Sequence, residues 1–291
     1  MLRLLFRLLP VVLMVLAVSC KKSELETITG NQPPPDTTTT NEVVEDYINR
    51  TYILVLGREP DSLEFTSAFT ALKNGLLSES SRYDFLDQVF ADPGYKWRQY
   101  DKWKGELLNN IDTVDITFQV TLIDFQLGDT TFQIFWPILQ YERDRLVELQ
   151  QAGTLYASGQ ITIRELQSRM INNYFYDQIN MGSLNFVLFS FQQILNRNPT
   201  LVEQNSGVSM IDGSSAVLFL QSGSSKDDYL SIFFNADDCY EGAVVRLYHD
   251  FLFRAPESLE MSVAAIQYKN TGDYEQLQKD ILATDEFVGI N

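Results

Sequence analysis

Histidine is almost absent from this chain: His249 is the only one in 291 residues. Without a second, general acid–base chemistry and most zinc sites lose their usual residue. Cysteine is nearly as scarce, present at Cys20 and Cys239, which excludes a fold stapled by several disulfides. Positive charge is also thin. The chain has 22 lysines and arginines against 39 acids, a net −17, and no basic stripe. A surface of that sign repels nucleic acid and anionic lipid headgroups, so no nucleic-acid partner is expected. Gly-x-Ser-x-Gly, His-Glu-x-x-His and glycine-rich phosphate loops do not occur. Acids are so abundant that no two stand out as a glycosidase pair. What the chain has in quantity is apolar residues, 45% of the total, enough to build a core.

The first forty residues read as targeting sequence. Residues 1–19 carry Arg3 and Arg7, then an apolar run from Leu8 to Val18, then small residues. That is the layout of a secretory signal, and the run is shorter than the roughly 20 residues of a membrane-spanning helix. Ala17-Val18-Ser19-Cys20 resembles a lipobox, with Ala17 where Leu is usual. The resemblance implies lipidation of Cys20 and attachment to a membrane through several acyl chains. No Asp follows Cys20, and Lys21-Lys22-Ser23-Glu24-Leu25-Glu26 resembles the surface-export signal of Bacteroidota lipoproteins. An outer-membrane location is the expectation, with the periplasmic and the surface face both open and the Lys-then-acid run pointing to the surface. Residues 20–41, with Pro33-Pro34-Pro35 and Thr37 to Thr40, read as a disordered tether.

Self-similarity organises the rest. Three segments share the pattern Leu-x-Arg-x-Pro-x-x-(Leu/Val)-Glu, beginning at Leu56, Leu195 and Leu252. The motif residues are Arg58, Pro60 and Glu64; Arg197, Pro199 and Glu203; and Arg254, Pro256 and Glu260. Each follows a helical apolar pattern, such as Val44, Ile48, Val55 and Val245, Tyr248, Leu252. Each Pro is read at the start of the next helix, where a missing N–H costs nothing. The units therefore read as helix, tight corner, helix, loop, helix. The Arg suits a helix C-terminus and the Glu an early helical turn, so the two are expected to pair across the corner.

Leu56-Gly57-Arg58-Glu59-Pro60-Asp61, the later Lys73-Asn74-Gly75, Asp84-Phe85-Leu86 and Tyr95 resemble a helical repeat of bacterial surface proteins that is similar to the phycobilisome linker domain. The likeness covers about residues 43–96, and more weakly 185–240 and 241–291. It carries no catalytic residues and implies an all-α, assembly-prone module. The expected fold is thus all-α, with a first unit at 42–96, a helical insert at 97–183 and tandem units at 184–291.

Within the insert, Thr162 to Glu165 forms a capping box that opens a helix toward Asn180. Phe132 to Gln150 has helical spacing, with Pro137 kinking it or lying in its first turn. Val114 to Leu127 alternates, as a strand or hairpin arm would, against its helical surroundings. Trp97, Tyr100 and Trp103 at helical spacing form a candidate platform for stacking a glycan, although such residues also serve as core. Asp227-Asp228 and Asp237-Asp238 with Glu241 match no calcium-loop spacing and read as helix caps, so no metal and no cofactor is expected. Cys239 and His249 are not at a helical spacing that would join them in catalysis.

The function expected from all this is a non-enzymatic scaffold or accessory subunit, anchored at the outer membrane and docked to an envelope protein. A surface glycan-binding lipoprotein beside a nutrient transporter is the alternative. It requires Trp97 and Trp103 exposed on one face.

Overall fold

The computed structural model describes residues 40–290. The residues read as a signal peptide, 1–19, and Cys20 lie outside the described residues, as does the expected tether up to residue 39. Thr40, the last of the threonine run, caps the first helix by accepting from the Val43 N–H.

The fold is all-α. Helix α1 (Asn41–Leu56) buries Val44, Tyr47, Ile48, Thr51, Tyr52 and Val55, one stripe at helical spacing. It is followed by α2 (Ser62–Asn74), α3 (Glu79–Phe90) and α4 (Gly94–Leu108). Asp61 and Ser78 cap α2 and α3. The insert supplies α5 (Thr113–Leu127), a 3₁₀ turn (Thr130–Phe135), α6 (Trp136–Ala157), α7 (Ile163–Ile171) and α8 (Tyr174–Ile179). Then come α9 (Ser183–Ile194), α10 (Leu201–Ile211), a two-stranded ribbon, α11 (Lys226–Asn235), α12 (Asp237–Leu252), α13 (Ser258–Thr271), α14 (Tyr274–Leu282) and the short α15 (Asp285–Val288). The ribbon pairs β1 (Ala216–Leu218) with β2 (Gln221–Gly223), Leu218 opposite Gln221. Its turn residues Phe219 and Leu220 both have positive φ, the geometry of a tight two-residue hairpin turn.

Two expectations change, and one open alternative is decided. The segment around Val114 to Leu127 is a helix, capped by Asp112, whose carboxylate accepts from the Val114 N–H at 2.9 Å. The helix opened by the Thr162–Glu165 box stops at Ile171. Asn173 then caps a separate α8 through its side-chain oxygen. Pro137 lies in the first turn of α6, so that helix starts there, after a 3₁₀ turn.

One apolar cluster runs through the motif segments and the insert. It is closed by contacts between the two ends of the described chain. The Tyr47 ring meets Phe85 edge-on at 5.3 Å and Phe287 at 5.9 Å. Buried Arg82 on α3 donates to the Leu77 and Ala283 carbonyls, each at 2.6 Å, and pairs with Asp285 at 2.7 Å. A buried guanidinium demands this degree of satisfaction. Among the described residues, no helix is long and apolar enough to cross a membrane.

Candidate functional site

Each motif builds the same corner. The residue before the arginine adopts the left-handed conformation that ends a helix: Gly57, Asn196 and Phe253, with φ of 71°, 52° and 56°. Only the glycine does so without a Cβ penalty. The arginine then folds back over an aromatic ring six residues earlier. Arg58 lies 5.4 Å from the Tyr52 centroid, Arg197 4.9 Å from Phe191 and Arg254 5.2 Å from Tyr248.

The guanidinium forks onto the motif glutamate. Arg58 Nη1 and Nη2 each donate to Glu64 at 2.7 Å. Arg197 does so to Glu203 at 3.0 and 2.6 Å, and Arg254 to Glu260 at 2.8 and 2.7 Å. The glutamate is the third residue of its helix and also accepts the N-cap N–H, from Asp61, Thr200 or Glu257, at 2.7 Å. One carboxylate thus ties the arginine to the helix start.

Proline differs in position from its expected place. Pro60, Pro199 and Pro256 stand one residue before the N-cap, not within the helix. A proline there steers the preceding residue toward extended backbone. The carbonyls of those residues, Glu59, Asn198 and Ala255, accept from the arginine Nη1 at 3.2, 3.1 and 3.0 Å.

A second acid, invisible in the motif, completes each corner. Asp92, just before α4, accepts from Arg58 at 2.8 Å. Asp238, in the first turn of α12, accepts from Arg197 Nε at 2.9 Å and also from Nη2. Glu286, in α15, accepts from Arg254 at 2.7 and 2.6 Å. The arginine hydrogen bond holds Glu64 and Glu203 at about 2, well below the ordinary carboxylate value, and lowers Glu260 too. With two carboxylates, a carbonyl and a ring on each guanidinium, these corners fix the angle between helices. They leave no evident place for a substrate anion.

No family model, curated protein or solved structure matches the chain. The corners must therefore be read on their own geometry.

One motif position takes no part in this bonding. The Leu or Val before the glutamate points outward in all three copies: Leu63, Val202 and Leu259 are 79%, 74% and 75% exposed. At the third corner Phe253 is exposed as well, and Val263 and Ile266 continue an apolar stripe along α13. Scattered exposed leucines are ordinary, but the same motif position exposed three times is a pattern.

The other candidates separate. Trp97 is half exposed and meets Tyr100 edge-on at 5.8 Å, both rings lying against Gly153 of α6. Trp103 is buried, with Arg246 4.9 Å above its ring. The three rings therefore do not form one exposed platform, because the body packs over the third. Asp238 is held by Arg197, Asp237 pairs with Lys269 at 2.5 Å, and Asp228 accepts the Ser224 N–H at 2.8 Å. Asp227 is bound by Arg145, Tyr141 and Asn172. Among the described residues, no three His, Cys, Asp or Glu side chains form a metal-binding group. Burial pushes the Cys239 thiol up to about 12, so it stays protonated, and His249 is exposed. A polar groove of about 490 Å³ lies between α7 and α11, lined by Arg164, Glu165, Asn172, Asp227 and Asn235 among others. Its charged groups are committed: Arg164 to the Phe234 carbonyl at 2.9 Å, Glu165 to Thr162.

Proposed function

We propose that the chain is a lipid-anchored, non-enzymatic docking subunit of a cell-envelope assembly, held at the outer membrane by Cys20. The observation that carries this reading is the outward Leu63, Val202 and Leu259. The arginine, proline and glutamate of the motif shape the corner and its first leucine packs in or against the core, whereas the side chain at this apolar position does neither. The likeness of the motif to an assembly-prone linker repeat supports the same view. So does Phe253, an exposed aromatic kept in a backbone conformation that disfavours it. Burying three such aliphatic side chains against a partner contributes about 5 kcal/mol, or three to four decades in affinity.

The test compares the tagged, lipidated protein with a Leu63→Asp, Val202→Asp, Leu259→Asp variant in mild-detergent envelope extracts. The expected result is one stoichiometric envelope protein with the wild type and its loss with the variant, at unchanged helical content. Equal retention by both proteins would overturn the role of the corners. Turnover of a wall or glycan substrate by the purified protein, dependent on a pair of its carboxylates, would overturn the non-enzymatic reading.

A further inference from the structure

The alternation that made Val114 to Leu127 look like a strand has a different meaning on a helix. At about 100° per residue it separates into two interleaved stripes. Ile116, Val120, Ile123 and Leu127 form one, buried or half-buried toward α6. Val114, Phe118, Leu122 and Phe125 form the other, on the opposite face and exposed. A helix that is apolar on both faces belongs between two neighbours, and α5 is covered on one face, by α6 and the 3₁₀ turn that leads into it. Its threonines and β-branched residues also make it a poor helix former in isolation. Thr117 and Thr121 even turn their hydroxyls back to the carbonyls four residues earlier, at 2.9 and 2.8 Å.

We propose that the outward stripe of α5 packs against the same stripe of a second copy of this chain, in an antiparallel two-fold contact. Three observations favour that occupant. The first is shape. Val114, Phe118 and Leu122 form a ridge along one row of the helix, and Thr113, Thr117 and Thr121 form the adjacent row of small residues. That row lines a shallow hollow of about 370 Å³ together with Val114 and Phe118. Ridge and hollow on one face are self-complementary, as a two-fold contact requires.

The second is charge. Two copies of a chain of net −17 repel, so a contact between them is confined to an uncharged patch, and this stripe is one. The stripe is uncharged, and of the two acids on α5, Asp124 is paired with Arg143. Residues 113–127 contain no Lys or Arg, the residues that flank the apolar face of a helix lying on a membrane. The third is area. The four stripe residues offer roughly 100 Å² each, about half of the roughly 800 Å² per partner of a standard interface, as a weak and reversible contact has. The dimer is accordingly concentration-dependent, and it forms independently of docking at the corners, which lie on other helices.

The test places a photo-crosslinking benzoylphenylalanine at Phe118 of the full-length protein in cells. The expected product has twice the mass of the chain and joins α5 to α5. Adding Leu122→Glu, an exposed site whose change leaves the core intact, lowers its yield at least about tenfold, the loss expected from more than 1.4 kcal/mol. The Leu63→Asp, Val202→Asp, Leu259→Asp variant leaves the yield unchanged, which keeps this contact distinct from the corners. Labelling of lipid or of another protein from position 118, or a dimer indifferent to Leu122→Glu, would overturn the proposal.

Discussion

The backbone of Gly242 lies directly against the backbone of Leu195. A Cβ on Gly242 would stand 2.7 Å from both the Leu195 Cα and the Ile194 carbonyl oxygen. The Gly242 carbonyl meanwhile accepts from the Asn196 side chain at 2.9 Å. Helix α12 therefore crosses the end of α9 at the closest approach a chain permits, and does so beside the second corner. Gly242→Ala forces the two helices apart. The expected cost is about 2 kcal/mol or more, a fall of roughly 5 °C in Tm. An unchanged melting curve would show that the crossing relaxes freely.

Arg197 draws Glu203 of α10 and Asp238 of α12 to one guanidinium. Arg197→Leu leaves both carboxylates without their partner and is expected to cost about 2 kcal/mol in denaturant midpoint experiments. Arg197→Lys recovers less than half of that, because an ammonium cannot fork onto one carboxylate while reaching a second. Full recovery by lysine would reduce the corner to simple charge pairing.

The same carboxylates make the fold acid-sensitive. Glu64 and Glu203 sit at about 2 in the folded chain against an ordinary value of 4.5, and Glu260 and Glu286 are lowered in the same direction. A depressed folded value means stability that is complete above about pH 4.5 and drains away as pH falls toward 2. Urea midpoints should be level at neutral pH and decline through that window. Glu203→Gln should flatten the decline, and an unaltered slope would remove Glu203 from the account.

Phe253 holds a left-handed conformation that Gly57 holds freely at the first corner. Phe253→Gly is expected to raise stability by about 1 kcal/mol, since relief of the backbone outweighs the added chain freedom. Its thermal midpoint should rise while capture of the envelope partner weakens. A lower midpoint would mean that the ring packs more than its exposure implies.

Short-range relationships were legible in the sequence, and long-range ones were not. Arg58 and Glu64 lie six residues apart across a proline, so their pairing follows from helix ends alone. Asp92, Asp238 and Glu286 reach their arginines from 34, 41 and 32 residues downstream. No fixed spacing marks them, and Asp238 reads equally well as a cap. Trp103 and Trp97 share a helix six residues apart, yet only tertiary packing decides that one is covered and the other half open. The α5 segment misled for a physical reason. Two apolar faces on one helix, interleaved, produce the period of a strand. The helix–strand ambiguity was itself the trace of a second apolar face, exposed in the chain.

The closure of α1 by α15 has a consequence for how the molecule is made. Tyr47 and Phe85 are placed early in synthesis, but Phe287 and the Ala283 carbonyl, which cover Tyr47 and Arg82, come among the last residues of the described chain. Vectorial synthesis delivers the first three helices long before their lid exists. Until Ala283 to Phe287 have packed, Tyr47 lacks the Phe287 ring and Arg82 keeps only the Leu77 carbonyl of its three partners. Tyr47 and Arg82 are therefore covered only once the segment from Ala283 to Phe287 has docked.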